Sequence, residues 1–144
     1  MFLQPRKTKY KKLQKGRLKR HECHKSELSV GTFGLKVSQS GIISAKQLES
    51  ARQAIMRRTG KKGKMWVKTF PFLPITKKPN ETRMGKGKGT VQYWASRVRG
   101  GKIIFELTGL PRKVAIAAFK TGSAKLPLKT TVVENRKREC SSTR

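Results

Sequence analysis

The chain has 144 residues, and its 36 lysines and arginines face seven acidic residues, all glutamate, for a formal net charge of +29. A domain with that load repels itself, so the composition calls for a polyanionic partner. It also speaks against most enzymology, because acid/base and triad chemistry draw on carboxylates and no aspartate is present to orient a histidine or hold magnesium.

Residues 1–27 carry ten of the basic residues and only two glutamates, Glu22 and Glu27. Blocks of like charge with few apolar residues do not fold alone. This segment reads as an arm that orders on RNA through Arg6, Lys7, Lys9, Tyr10, Lys11, Lys12, Lys15 and Arg17. From Ser29 to Val37 apolar and small residues alternate, which predicts a strand interrupted by glycine, and Ser40-Gly41 marks a turn. Ser44, with Gln47 three positions on, opens a capping box. Ala45, Leu48, Ala51 and Ile55 then share a face, and Gly60 ends a helix over about 44–59. Its outer side and the residues just beyond it hold Lys46, Arg52, Arg57, Arg58, Lys61, Lys62 and Lys64. Cations suit a helix C-terminus, but seven in one patch exceed that need.

Met65–Phe70 reads as a short aromatic and β-branched strand. Residues 71–89 show no periodicity: Pro71, Pro74 and Pro79 stiffen the first half, and Arg83-Met84-Gly85-Lys86-Gly87-Lys88-Gly89 makes a flexible, basic second half. A loop of that length is usually functional or disordered, and we take it as a functional tip. The runs 90–99 and 102–109 flank Gly100-Gly101 and predict a β-hairpin. Pro111 suits the first turn of a second helix reaching about residue 125, with Val114, Ala117, Ala118 and Phe119 on its apolar face and Gly122 and Ser123 allowing close approach. A last strand covers about 128–133. The expected class is α+β, two helices packed on a mixed or antiparallel sheet. The expected organisation is a basic arm (1–27), one domain (28–135) carrying the loop 71–89, and a basic C-terminal tail (136–144).

No nucleotide-binding loop fits the tip: Gly85 is followed by alternating Lys and Gly rather than by a Gly-Lys-Ser/Thr, and a strand follows instead of a helix. The run allows backbone amides and lysines to approach phosphates without sequence readout. His21-Glu22-Cys23-His24 crowds possible ligands into four residues, where tetrahedral zinc uses separated pairs, so we expect no metal and no cofactor. Cys23 and Cys140 form no disulfide framework, and a reducing compartment is the simpler expectation. No stretch is apolar enough to span a membrane, and no helix has the apolar face of a membrane-surface protein. Trp66 and Phe105 are expected to face inward. Tyr93 and Trp94 lie on opposite faces of a strand, and the sequence does not fix which face is which.

Taken in order, Leu3-Gln4-Pro5, Lys9-Tyr10, Lys15-Gly16-Arg17, Phe33-Gly34, Gln47-Leu48-Glu49, Ala51-Arg52, Gly63-Lys64-Met65-Trp66-Val67, Pro74-Ile75-Thr76, Arg83 to Gly89 and Ala124-Lys125-Leu126-Pro127 resemble the bacterial-type large-subunit ribosomal protein L-sixteen family over about residues 3–133. The resemblance implies an α/β hammerhead fold and a place among large-subunit rRNA helices beside the aminoacyl-tRNA site. It implies rRNA held by body and arm, neighbouring ribosomal proteins as further partners, and a loop around Arg83 that reaches tRNA near the peptidyl-transferase centre. Peptide-bond formation itself belongs to RNA, and no small-molecule substrate is implied. In bacterial relatives the arginine matching Arg83 can be hydroxylated. The chain departs from the family pattern over Leu18–Glu27, and residues 134–144 extend past its usual end. Lysine-rich, aspartate-free composition fits an organellar chain, so the expected setting is a mitochondrial ribosome, the alternatives being a plastid or the bacterial cytoplasm.

Overall fold

The computed structural model describes residues 3–18, 22 and 27–135. Among them run β1 (Phe33–Val37), β2 (Gly41–Ser44), α1 (Ala45–Arg58), β3 (Lys64–Val67), β4 (Leu73–Lys77), β5 (Thr90–Val98), β6 (Ile103–Thr108), α2 (Arg112–Ser123) and β7 (Thr130–Glu134). The class is α+β, as expected, and the strands divide into two antiparallel sheets ordered β3-β6-β1-β7 and β2-β5-β4.

The first helix forms as its sequence dictates. Ser44 accepts from the Gln47 backbone N–H, and the Gln47 side chain accepts from the Ser44 N–H. At the other end the Gly60 N–H returns to the Arg57 carbonyl and the Lys61 N–H to that of Met56, with Gly60 at φ +60°. That double closure is the Schellman arrangement, and its left-handed residue favours glycine. Leu48, Ala51 and Ile55 are buried, and Ala45 is only half-buried.

Three expectations need correction. The Gly100-Gly101 hairpin does not exist: β5 and β6 never pair with each other. β6 has both edges filled, by β1 and β3, and β5 has both filled, by β2 and β4. The glycines instead turn a corner between sheets. The register that pairs Lys36 with Ile103 continues across it to pair Gly41 with Val98, so β1–β2 and β6–β5 form one bent ribbon. The Lys102 N–H closes the turn on the Arg99 carbonyl at 3.2 Å, while Gly101 donates to the Val37 carbonyl and Val37 to that of Lys102, so the turn is bonded to β1 rather than continued as a β5–β6 ladder. Second, residues 71–89 are not without structure: β4 lies inside them, with Leu73, Pro74 and Ile75 buried. Pro74 lacks an N–H, but β4 is an edge strand, where a missing donor is tolerated. The irregular part shrinks to residues 78–89. Third, Ala115, rather than Val114 or Ala117, joins Ala118, Phe119 and Gly122 on the buried face of α2, and Pro111 is its N-cap residue.

The main core joins both helices to both sheets through Leu35, Ile43, Ile55, Val98, Phe105 and Phe119, all at most 1% exposed. A smaller cluster under the second sheet holds Leu73, Ile75 and Ala95, with Leu13 of the arm packed on it. The two helices meet at Gly122, where an added Cβ would stand 2.5 Å from Ile55 Cγ1. Overpacking of this kind costs about 1–3 kcal/mol. Gly122→Val should therefore lower the thermal midpoint and weaken denaturant resistance by that amount. Unchanged stability would show that the helices are not in such close contact.

Candidate nucleic-acid interface

Three basic surfaces stand on this frame. The first is the arm. Its described residues 3–18 form neither helix nor strand, yet they lie along the body. Leu3 packs against the main core and Leu13 against the smaller one. Arg97 on β5 donates to the Lys15 carbonyl at 2.5 Å, and the Glu22 N–H donates to the Gly100 carbonyl at 2.8 Å. The candidate residues Arg6, Lys7, Lys9, Tyr10, Lys11, Lys12, Lys15 and Arg17 are all exposed, with the Lys9 ammonium 5.6 Å from the Tyr10 ring centroid. The apolar anchors thus turn inward and the cations outward. His21, Cys23 and His24 lie outside the described residues.

The second surface is the C-terminal end of α1. Arg57, Arg58, Lys61, Lys62 and Lys64 are exposed. Arg52 differs from them. Its guanidinium makes a two-pronged bond to Glu49, with Nε to Oε2 at 2.8 Å and Nη2 to Oε1 at 2.7 Å. The Arg52 hydrogen bond holds the Glu49 carboxyl below its ordinary range, and the same bond raises Arg52 above its own. Arg52 is thus half-buried with its charge largely balanced by Glu49, unlike the exposed cations around it.

The third surface is the tip, where residues 81–88 are exposed and the Met84 side chain is 99% so. The backbone is left-handed at Gly85, Lys86 and Gly87. At Lys86, φ +52° is unfavourable for a side-chain-bearing residue by about 1–2 kcal/mol. An added Cβ would meet nothing within 4 Å at Gly85 or Gly87 but would stand 2.6 Å from the Lys77 carbonyl oxygen at Gly89. Backbone angle therefore explains the first two glycines and crowding the third. Lys78 donates to the Gly85 carbonyl and folds the loop back on its own base.

Arm and tip are brought together. Lys12 Nζ donates to the Lys88 carbonyl and Lys88 Nζ to the Leu13 carbonyl, each at 2.6 Å. Sequence reading missed this reciprocal clasp and the anchoring role of Arg97, because the partners stand 75 or more positions apart and no local pattern announces them. Three of the glutamates are bound to cations within the fold: Glu49 to Arg52, Glu106 to Lys68 and Glu134 to Arg112. Among the described residues no group of His, Cys or Glu is placed to hold a metal, and no helix is long and apolar enough to cross a membrane.

A basic arm and a glycine-lysine tip are both part of the family resemblance, and comparison with known proteins decides it. The family model described as Ribosomal protein L16p/L10e matches residues 5–133. The chain belongs to the L16p/L10e family of ribosomal proteins. Relatives called "Large ribosomal subunit protein uL16" include that of Erythrobacter litoralis, 48% identical over 132 residues that make up 92% of either chain. That of Bartonella bacilliformis is 48% identical over 92% of this chain and 97% of its own. That of Buchnera aphidicola subsp. Acyrthosiphon pisum is 50% identical over 92% and 96%. The L16p/L10e proteins are structural, non-enzymatic components of the ribosome, which agrees with the scarcity of carboxylates in this chain.

Proposed function

We propose that this chain is a structural constituent of the large ribosomal subunit, that it holds rRNA with its arm and the C-terminal end of α1, and that it carries residues 83–89 toward tRNA at the aminoacyl site. The observation that carries the reading is the clasp between arm and tip. A segment suited to rRNA and a loop suited to a second ligand form one continuous basic surface, with β4 as the strut behind the loop. Family membership supports the subunit and its rRNA. The tRNA contact rests on Arg83, Lys86, Lys88 and the protruding Met84, all exposed on the tip. Hydroxylation of Arg83, exposed on that tip, would be compatible with this role.

The test uses ribosomes carrying Arg83→Ala, with subunit incorporation and aminoacyl-site tRNA binding both measured. Normal incorporation with several-fold weaker tRNA binding is expected. Lost incorporation would make the loop an rRNA anchor, and normal behaviour in both assays would remove the tRNA role. For the compartment we keep the mitochondrial reading on composition. The relatives named above are bacterial and suit a bacterial cytoplasm or a plastid equally well. Immunoblotting of large subunits sedimented from fractionated cells separates the three.

A further inference from the structure

One cavity adjoins the arm but lies away from the tip and from the C-terminal end of α1. It is a cleft of about 510 Å³ beyond the end of β2, within the ~300–1,000 Å³ of small-ligand sites. β2 stops at Ser44 opposite Ala95, so the next residues of β5 toward its start, Trp94, Tyr93 and Gln92, have no strand on that edge. The cleft wraps this free edge, which is how neighbours on opposite faces of β5, Tyr93 and Trp94, both come to line it. Lys15 of the arm and Lys46 of α1 also line it, and no acidic side chain does. Tyr93 is 39% exposed, high for a strand aromatic beside a core cluster.

We infer that this cleft receives one unpaired RNA nucleotide, its base against Tyr93 and Trp94 and its flanking phosphates at Lys15 and Lys46. Charge selects the occupant. Two ammonium groups without a carboxylate favour a polyanion, and the Tyr93 and Trp94 rings on either side of the free edge offer apolar surface to a base. Aromatic side chains stack bases with little sequence preference, and the unpaired peptide edge and the Gln92 amide offer donors and acceptors to a base edge. The inference rests on the reading of the protein as an rRNA binder and adds a site that phosphate attraction alone would not create.

Trp66→Phe leaves Trp94 as the sole tryptophan of the full-length chain. Its fluorescence is titrated with a short unstructured RNA and with an abasic ribose-phosphate strand of equal length, circular dichroism confirming the fold. The base-bearing strand should quench Trp94, and the abasic strand should bind with little quenching. Added to this background, Tyr93→Ala should weaken base-bearing RNA roughly ten-fold while sparing abasic affinity, and Tyr93→Phe should restore the loss. Equal quenching by both strands would overturn the inference in favour of plain charge attraction. RNA binding without quenching would also overturn it and leave the edge to a protein strand. Absence of binding by either strand would overturn the rRNA reading along with it.

Discussion

Glu106→Ala should destabilise the folded protein by about 3–5 kcal/mol, the usual cost of removing one member of a buried charged network. Glu106 is fully buried on β6. One of its carboxylate oxygens accepts the Val30 and Gly31 N–H groups at 2.9 and 2.8 Å, and the other accepts from Ser29 N and Oγ at 3.3 and 3.2 Å. Lys68 Nζ stands 3.7 Å away and donates to Ser29 Oγ. This carboxylate fastens the segment leading into β1 across the sheet, where Gly31 passes so close that its Cβ would lie 2.8 Å from that of Glu106. Desolvation by burial pushes the carboxyl pKa up, but the three backbone donors and Lys68 outweigh it, so the group titrates below its ordinary range. The sign follows from linkage. With its folded pKa depressed, Glu106 stabilises the protein fully above the unfolded value near ~4.3, and that contribution is lost as pH falls through the folded value. Glu49, also depressed, adds to the same window. Urea denaturation between pH 7 and pH 3 should show wild type losing stability on acidification and Glu106→Gln, already weakened at pH 7, losing less. An effect under ~1 kcal/mol at neutral pH would show that the clamp is not made.

What could be read in the sequence was what local chemistry decides. The capping box at Ser44 and Gln47, the left-handed close at Gly60 and the spacing of Leu48, Ala51 and Ile55 each lie within one or two helical turns, so α1 was legible to within a residue. The hairpin expectation failed because Gly100-Gly101 satisfies the local rule while the outcome depends on which strands already occupy the edges of β5 and β6. β2 was missed because Ile42 and Ile43 are too short an apolar run to show a period, and β4 because Pro74 looks like a breaker until its edge position is known. Glu106 drew no attention: one carboxylate in an apolar run reveals nothing of the donors that converge on it from 75 residues away.

The site follows the same division. That the arm, the helix end and the tip are basic is a matter of composition, and all three surfaces were expected. How available each cation is depends on its neighbours. For Arg52 the signal was present in the sequence, since Glu49 stands three positions before it, the spacing at which helical side chains meet. For Lys12 and Lys88 no such signal exists, and only the docking of Leu13 on the small core explains why arm and tip share a surface.

Neutralising Arg57, Arg58, Lys61 and Lys62 together, each to glutamine, should flatten the salt dependence of RNA binding by roughly three to four units of log K against log[salt] if all four touch phosphate. Raising salt four-fold would then cost wild type roughly sixty-fold or more affinity beyond what it costs the variant. The four side chains are exposed, and among the described residues none of them is paired with a carboxylate. Arg52→Gln alone is the internal control. Glu49 already balances that guanidinium, and the freed carboxylate would repel phosphate, so affinity should fall with less change in slope than one solvent-facing arginine gives. The competing explanation is that Arg57 and Arg58 serve the helix itself, as cations in the last turn of α1 facing its dipole. That reading makes a different forecast: a loss of roughly 0.3–1 kcal/mol in stability per charge, with RNA binding keeping its full salt slope. Filter binding across a salt series, run beside urea denaturation of the same variants, separates the two. A slope equal to wild type would place the end of α1 away from RNA and leave the arm as the principal rRNA surface.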